Sequence, residues 1–257
     1  MMHCEGLLSV ILYIMEWRSH HFTFEHNSAS IHSCIGGKAM DILLIGAPGA
    51  GKGTQAEKLS QLFTLRHIAS GDLFRKAFED HTELGLKAQR YVDLGELVPD
   101  DITIPMVIRH IEEPESNHGV LLDGFPRTLV QAQALDAELR RFNREIDLAI
   151  YLKVSREELL QRLAGRHFCQ ANQHVYHVKN RPPKVAGICD LDGSKLYQRP
   201  DDAGEAMRRR LVIYFNQTVQ VLDYYKEQHK LREVDGNQSI DQVQASLLKE
   251  IHQFMGR

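Results

Sequence analysis

The sequence lacks the features that define several common classes of protein. It has only four cysteines, at positions 4, 34, 169 and 189 of 257 residues, and so lacks the disulfide framework of a small secreted domain. With a net charge of −3, it lacks the excess of positive charge that is typical of a general nucleic-acid binder. An apolar run at residues 6–15 is too short to cross a bilayer. We therefore expect reduced thiols or a metal site, and neither nucleic acid nor membrane as a partner.

The rest of the composition is ordinary for a globular protein. Hydrophobic residues make up 43% and charged residues 25%, and the length fits one large α/β domain, with or without smaller inserts. Residues 1–39 do not resemble the remainder. We interpret them as an N-terminal extension outside the fold, either disordered or encoded from an upstream start codon. A targeting or anchoring role is the alternative, although no basic region precedes the apolar run.

Short apolar runs alternate with helical periodicity along residues 40–257. The runs predict buried strands at 41–45, 119–122, 148–152 and 232–234. The periodicity predicts helices at 53–63, 82–94, 102–111, 128–142, 156–164, 205–229 and 240–254. This alternation indicates an α/β fold, a parallel sheet with helices on both faces. Residues 165–202 interrupt it with Gly, Pro, Cys and His, and predict a small inserted subdomain of short strands and turns.

Residues 46–54, GAPGAGKGT, lie between a predicted strand and a predicted helix, as a phosphate-binding loop requires. Glycines let backbone N–H groups wrap a phosphate, and the helix adds its positive N-terminal end. Lys52 supplies a mobile positive charge. Gly53 stands where the general pattern has Ser or Thr, and Thr54 comes one residue later. Asp123, at the end of its strand, is therefore the better candidate to hold Mg²⁺, through water.

Several separate motifs resemble those of the nucleoside monophosphate kinases, and of the adenylate kinases in particular. They are GAPGAGKGT at 46–54, SGDLFR at 70–75, LGELVPD at 94–100, DGFPRT at 123–128, GRHF at 165–168, VYH at 175–177, NRPPKVAG at 180–187 and QRPDD at 198–202. The resemblance covers residues 40–257 and implies a P-loop NTPase-type three-layer α/β fold. It divides the chain into a core at 40–68, 99–164 and 203–257, a helical AMP-binding flap at 69–98 and a small β-rich lid at 165–202.

The resemblance also implies the reaction, reversible phosphoryl transfer from Mg-ATP to AMP giving two ADP. The catalytic residues that it implies are Lys52, Asp123, Arg127, Arg166, Arg199 and Arg210. The ATP-binding residues are Gly49, Ala50, Gly51, Lys52, Gly53, Thr54, Arg162, Arg166, Val175, Tyr176 and Gln238. The AMP-binding residues are Ser70, Arg75, Glu96, Leu97, Val98, Gly124, Phe125, Pro126, Arg127, Gln131, Arg199 and Arg210. Clustered arginines explain how a chain of net charge −3 binds two polyanions.

The resemblance gives four of these residues specific roles. Arg162 is expected to stack on the ATP adenine, as a planar guanidinium can. Gln131 is expected to read the edge of the AMP adenine, because a carboxamide offers both a donor and an acceptor. Arg199, together with Arg210, is expected to bridge the two phosphate chains.

Four positions in the predicted lid match those that hold a structural zinc ion in long-lid relatives. They are Cys169, Asn172, Cys189 and Asp192. Two thiolates and a carboxylate are good zinc ligands, whereas an asparagine is a poor one. His174 or His177 is an alternative fourth ligand. A metal-free polar cluster and a disulfide are the alternatives to zinc, which would stabilise the lid fold and perform no chemistry.

Three rival functions can be weighed from the same residues. Gln131 and the long lid argue against a GTP donor and against a UMP or CMP acceptor. The motifs SGDLFR and DGFPRT, together with Gln131, argue against a kinase of a small molecule such as shikimate or gluconate. A nucleotide-binding regulator without turnover would not need Lys52, Asp123 and the arginines together. The resemblance implies a monomer. It implies a cytoplasmic protein if the functional start is near Met40.

Overall fold

The computed structural model describes residues 39–256, so the expectations about the segment before Ala39 lie outside the described residues. The strands are β1 (Ile42–Ile45), β2 (Arg66–Ala69), β3 (Val120–Asp123), β4 (Leu148–Lys153), β5 (Arg166–Cys169), β6 (Val175–His177), β7 (Leu196–Tyr197) and β8 (Leu231–Asp235). The helices are α1 (Lys52–Phe63), α2 (Ser70–Glu79), α3 (Glu83–Asp93), α4 (Asp100–Ile111), α5 (Leu129–Arg141), α6 (Arg156–Ala164), α7 (Gly204–Ile213), α8 (Val219–Glu227) and α9 (Ile240–Met255). Short 3₁₀ turns span Pro114–Ser116 and Pro200–Asp202, and a π-helical turn spans Tyr214–Thr218.

Five strands form one parallel sheet in the order β2-β3-β1-β4-β8, surrounded by helices. The predicted α/β class with a parallel sheet is confirmed. Every residue of β1 is buried, as expected of an apolar strand at the centre of a covered sheet. Because parallel strands share one direction, their carboxyl ends meet at one edge, and the register pairs both Leu44 and Ala69 with Asp123. That edge therefore gathers the phosphate loop, the start of α2 and Asp123.

The main hydrophobic core lies between this sheet and three helices. Apolar side chains of β1 and β3 pack against Val107 of α4, Leu135 of α5 and Tyr225 of α8, all fully buried. This packing fixes the strand ends that carry the site. Among residues 39–256, no helix combines the length and the apolar character needed to span a bilayer.

Two elements of the structure were not predicted from the sequence, and one predicted helix is divided in two. Strand β2 has only four residues, of which Arg66 and His67 are polar and half-buried, so no apolar run marks it. Helix α2 follows β2 at once and has no side-chain N-cap to signal its start. The helix predicted at 205–229 is split into α7 and α8 by the π-helical turn. An extra residue within one turn leaves no mark on a helical pattern.

Two smaller units complete the fold. Within residues 165–202, strands β6, β5 and β7 form an antiparallel sheet, whose core consists of Cys169, Tyr176 and Cys189. Helices α2 and α3 pack together over a core that includes Phe74 and Ala88. Their close approach requires Gly85, because a Cβ there would lie 2.1 Å from the Ala77 carbonyl oxygen.

Candidate functional site

A cleft of about 1200 Å³, called here the main cleft, is lined by the phosphate loop, the start of α2, the loop before α4, and β5 and β6. All predicted catalytic residues line it: Lys52, Asp123, Arg127, Arg166, Arg199 and Arg210. So do most of the other predicted binding residues: Gly49, Ala50, Gly51, Gly53, Thr54, Ser70, Arg75, Glu96, Leu97, Val98, Gly124, Gln131, Arg162, Val175, Tyr176 and Gln238. Side chains scattered over the sequence thus meet in one concave surface.

Two predicted AMP-binding residues do not line the main cleft. Phe125 is 2% exposed and packs in the hydrophobic core. Pro126 lines a separate cavity of about 50 Å³, which it shares with Tyr214. Gly124 has a φ of 76°, so the chain turns sharply at the end of β3 and the residue after it enters the core. Phe125 and Pro126 therefore stay predicted AMP-binding residues that the lining of the main cleft does not include.

The Lys52 ammonium group is held by the phosphate loop itself. Its Nζ donates hydrogen bonds to the carbonyl oxygens of Gly46, at 2.9 Å, and Ala47, at 3.2 Å. Gly49 and Gly51 give the loop its curvature with φ angles of 84° and 93°. Burial lowers the pKa of Lys52 to about 8, against the opposing attraction of Asp123. A buried ammonium group in this position is a strong partner for a phosphate.

The Asp123 carboxylate lies between two cationic or titratable side chains without a hydrogen bond to either. Lys52 Nζ stands 4.0 Å from Oδ1, and His67 Nε2 stands 3.9 Å from Oδ2. Burial opposes the charge on Asp123, but the proximity of His67, Lys52 and Arg127 outweighs it and lowers the pKa of the carboxyl. A Cβ on Gly53 would lie 3.5 Å from Oδ2, so glycine leaves room beside the carboxylate.

Two arginines of the main cleft share one buried carboxylate. Arg166 donates to both oxygens of Asp202, with Nε at 2.7 Å from Oδ2. Arg210 donates to Asp202 Oδ1 and pairs with Asp201, both at 2.8 Å. Asp202 is fully buried, and these guanidinium groups overcome its burial and lower its pKa. The two arginines are therefore preoriented.

The side of the cleft between β3 and α2 contains Arg127, whose pKa is lowered to about 10 by burial and by Arg210. Arg127 Nε donates to the Gly124 carbonyl oxygen at 2.6 Å, and Ser70 Oγ donates to the same oxygen at 2.8 Å. Arg75, on α2, pairs with Asp72 one turn earlier. The Ser70 contact holds the strand end and the start of α2 together.

Gln131 is buried, and both ends of its carboxamide are engaged by the protein. Its Oε1 accepts from the Arg127 N–H at 2.7 Å, and its Nε2 donates to Asp100 Oδ1 at 2.7 Å. Asp100 also accepts from Thr128 Oγ1 at 3.1 Å. A carboxamide has two donor hydrogens and two acceptor lone pairs, so these contacts leave one of each unused. The amide orientation is thereby fixed.

The side of the cleft next to the phosphate loop contains Arg162. Its Nη2 donates to the Gly236 carbonyl oxygen at 2.8 Å, and its Nε donates to Glu158 at 2.7 Å. Gln238 lies nearby and donates to Asp235 at 3.4 Å. The guanidinium plane is thus fixed between the phosphate loop and the loop after β8.

Four metal-ligating side chains converge in the corner of the lid segment: Cys169, His174, Cys189 and Asp192. His174 Nδ1 is 3.3 Å from Cys169 Sγ, 3.4 Å from Cys189 Sγ and 3.2 Å from Asp192 Oδ2. Asn172 instead donates its side-chain N–H to Asp192 at 2.9 Å. His174, and not Asn172, therefore completes this group of four side chains that could hold a metal ion. Both cysteines are free thiols, so the structure does not contain the disulfide alternative.

Five residues of the site were not given a role by the sequence. Asp100, Asp201 and Asp202 end two of the quoted motifs, and for Asp201 and Asp202 the proximity to the expected Arg199 was the available signal. His67 lies outside the motifs and has no such signal. His174 was only an alternative, because the turn at Gln173, with a φ of 58°, brings it among the thiols.

Comparison with known proteins agrees with this geometry. A family model described as adenylate kinase matches residues 44–230. The chain is 50% identical over 208 residues to an adenylate kinase of Carboxydothermus hydrogenoformans, covering 81% of this chain and 97% of that protein. It is 48% identical to one from Staphylococcus epidermidis and 47% identical to one from Staphylococcus aureus, each over 204 residues, 79% of this chain and 95% of the relative.

Proposed function

The chain belongs to the adenylate kinase family and transfers a phosphoryl group reversibly from ATP to AMP, and we propose that the main cleft divides this work among the residues described above. The observation that carries the assignment is that Lys52, the clustered arginines and Gln131 all line one cleft. Phosphoryl transfer depends on alignment and on neutralisation of charge rather than on covalent help from the protein. No covalent enzyme intermediate is expected.

The donor nucleotide occupies the side of the cleft next to the phosphate loop. The backbone N–H groups of residues 49–54 surround its phosphates, and Lys52 moves from the loop carbonyls to the β- and γ-phosphates. Arg162, fixed against Gly236, stacks on the adenine. Residues 165–202 act as a lid, in which Val175 and Tyr176 cover the nucleotide and Gln238 lies beside it.

The acceptor occupies the side between β3 and α2. Arg75 and Arg127 bind the phosphate of AMP, Ser70 and the backbone of residues 96–98 surround its base, and Gln131 reads the adenine edge with its remaining donor and acceptor. Arg166, Arg199 and Arg210 lie between the two sides and stabilise the charge of the moving phosphoryl group. Residues 69–98 close over AMP as the lid closes over ATP, and water is excluded.

Mg²⁺ fits the site at Asp123. The carboxylate is charged, Lys52 and His67 stay outside hydrogen-bonding distance of it, and Gly53 leaves space beside it. Asp123 would hold the ion through water, and the ion would neutralise phosphate charge when bound. The remaining residues of the site bind and orient the two nucleotides.

A structural zinc ion fits the corner of the lid. Neighbouring donors of a tetrahedral zinc site with sulfur, nitrogen and oxygen ligands are about 3.5 Å apart, and His174 lies 3.2–3.4 Å from its three neighbours. Cys169, His174, Cys189 and Asp192 would hold it and Asn172 would orient Asp192. His177 is not among the donors that converge here, and its Nδ1 accepts from the backbone N–H groups of Lys179 and Asn180.

Metal analysis of purified variants tests the zinc assignment. We expect about one zinc ion per chain in the natural protein, loss of zinc in Cys169→Ser and His174→Gln, and retention in the matched control His177→Gln. A natural protein without zinc, whose thermal midpoint does not respond to added zinc, would favour the metal-free polar cluster.

The protein acts as a monomer in the cytoplasm. A single chain contributes all of the catalytic residues assigned above. The free thiols Cys169 and Cys189 suit a reducing compartment. Sedimentation of the purified protein with and without nucleotides tests the monomer.

A coupled assay of ADP formation tests the function. Mg-ATP is supplied with AMP, CMP, UMP, GMP or no acceptor. We expect strong turnover with AMP alone, because Gln131 matches an adenine edge. Turnover with another acceptor would agree with the proposed mechanism but contradict the specificity for AMP. ATP binding without any turnover would favour a nucleotide-binding regulator.

A further inference from the structure

Gln173 adopts a backbone conformation that is rare for its residue type. Its φ is 58°, in the left-handed region that favours glycine. Such residues persist only where the surrounding structure holds them, and they cluster at functional sites. The position lies in the turn between β5 and β6, next to His174 and one strand away from the cleft arginines.

The side chain of Gln173 makes contacts that account for this conformation. Its Oε1 accepts a hydrogen bond from Arg199 Nη2 at 3.0 Å and another from the Tyr197 hydroxyl at 3.2 Å. Because an arginine can only donate, the oxygen of the carboxamide must be the atom that faces it. Gln173 therefore touches an arginine assigned to the phosphate chains.

Arg199 is held differently from the other arginines assigned to the moving phosphoryl group. Arg166 and Arg210 are paired with Asp202, which offsets part of their charge. The described residues place no carboxylate within ion-pairing distance of Arg199, which instead stacks on the Phe168 ring at 3.4 Å. Burial and the neighbouring Arg75 and Arg166 lower the pKa of Arg199 to about 10, and the more distant Asp201 and Asp72 offset only part of this shift. A neutral acceptor can orient it without cancelling its charge.

The turn that contains Gln173 is itself anchored. The Gln173 N–H donates to the Cys169 carbonyl oxygen at 3.1 Å. The N–H groups on either side, of Asn172 and His174, donate to Cys169 Sγ at 3.3 and 3.2 Å. The carboxamide is thus presented to Arg199 from a fixed backbone.

We propose that Gln173 is a positioning residue for phosphoryl transfer, a neutral acceptor that orients Arg199 toward the phosphates and leaves its positive charge uncompensated. This inference rests on the proposed function of the main cleft and on the assignment of Arg199 within it. Gln173 thereby connects the turn anchored on Cys169 to Arg199 in the main cleft.

Two substitutions distinguish a positioning role of Gln173 from a role in folding. Gln173→Gly removes the acceptor and suits the positive φ, so we expect an unchanged or higher thermal midpoint and a kcat lowered about tenfold, the effect of losing one hydrogen bond to a charged group. Gln173→Met keeps the size of the side chain without the acceptor, and we expect the same loss of kcat. The KM values for ATP and AMP should change less than about twofold.

Two further variants sharpen the test. Gln173→Glu keeps an acceptor but adds a negative charge, and we expect it to raise both KM values. His229→Gly is the matched control, since His229 is exposed, lies outside the cleft and has a φ of 60°. It should leave kcat and both KM values unchanged. A Gln173→Glu variant with natural kinetics would overturn the neutral-acceptor argument.

A double-mutant cycle with Arg199→Ala distinguishes this inference from the proposed function. If Gln173 acts through Arg199, Gln173→Gly causes no further loss of kcat in the Arg199→Ala background. Natural kcat in Gln173→Gly and Gln173→Met, or a full additional loss in the double variant, would overturn the inference alone. A natural kcat in Arg199→Ala would contradict the role assigned to Arg199. A natural protein without activity would contradict the proposed function itself.

Discussion

At the scale of single residues, Lys52 links the stability of the fold to pH. Its pKa falls from 10.5 to about 8 in the folded chain, because burial disfavours its charge. Between these two values the unfolded chain binds more protons, so the free energy of unfolding rises with pH. We expect it to rise by about 2 kcal/mol from pH 7 to pH 10 relative to the Lys52→Met variant.

Urea unfolding of both proteins at the two pH values measures this difference. Lys58→Met is the matched control, because Lys58 lies on the same helix, is exposed and pairs only with the surface carboxylate of Asp241. A pH trend of equal size for Lys58→Met would contradict the assignment to the buried ammonium group.

Asp100 allows a second prediction at this scale. It fixes the carboxamide of Gln131, so Asp100→Ala should raise the KM for AMP about fivefold, the order of one lost charge-assisted hydrogen bond. The KM for ATP should change little. Steady-state kinetics with each nucleotide varied in turn measure both values.

Asp101→Ala is a close control for this substitution. Asp101 is exposed and occupies the same first turn of α4, so both variants lose a similar interaction with the helix dipole. If both variants raise the KM for AMP equally, the helix terminus and not Gln131 is responsible.

The sequence could not assign these carboxylates, for a physical reason. Asp100, Asp201 and Asp202 act by holding Gln131, Arg166 and Arg210, and such pairings depend on the folded chain. Lys52 and Asp123 could be assigned, because the loop between a buried strand and a helix fixes their positions locally.

At the scale of elements, Gly95 joins the end of the predicted AMP-binding flap to α7. It has a φ of 71°, and a Cβ there would lie 2.3 Å from the Ala206 carbonyl oxygen. The adjacent Glu96 pairs with Arg209 at 2.8 Å. Helix α7 also contains Arg210, so this contact brings the flap and a cleft arginine together.

We expect Gly95→Ala to lower the free energy of unfolding by more than about 2 kcal/mol, because the strained φ and the clash with backbone add. Gly204→Ala is the matched control. Gly204 also has a positive φ, of 57°, but its Cβ position is open. Urea unfolding measures both, and an equal loss in the two variants would mean that the contact with α7 contributes nothing.

Elements with a strong local pattern could be predicted from the sequence, and the others could not. Strand β1 is an apolar run and α1 follows a glycine-rich loop, so both are visible. Strand β2 is hidden, because its position at the edge of the sheet next to β3 is set by pairing and not by an apolar run of its own. The π-helical turn at Tyr214–Thr218 is hidden because it inserts a residue without breaking the helix.

At the scale of the whole molecule, charge is distributed unevenly. The net charge is −3, yet the main cleft gathers Lys52, Arg75, Arg127, Arg166, Arg199 and Arg210. The lining also contains carboxylates, such as those of Asp123 and Asp201, but these six cations surround the expected phosphate positions. A cluster of cations in a concave surface attracts polyanions and raises their local concentration. The attraction is partly screened by salt, because the Debye length falls to about 10 Å at 0.1 M.

We therefore expect the KM values for ATP and AMP to rise several-fold from about 20 mM to about 300 mM KCl, with kcat changing less. Arg75→Gln should make the KM for AMP less sensitive to salt, since it removes one cation of the cleft. Arg208→Gln should not, because Arg208 is exposed and does not line the cleft. Steady-state kinetics across the salt series measure these KM values. KM values that do not respond to salt would mean that short-range contacts alone hold the nucleotides.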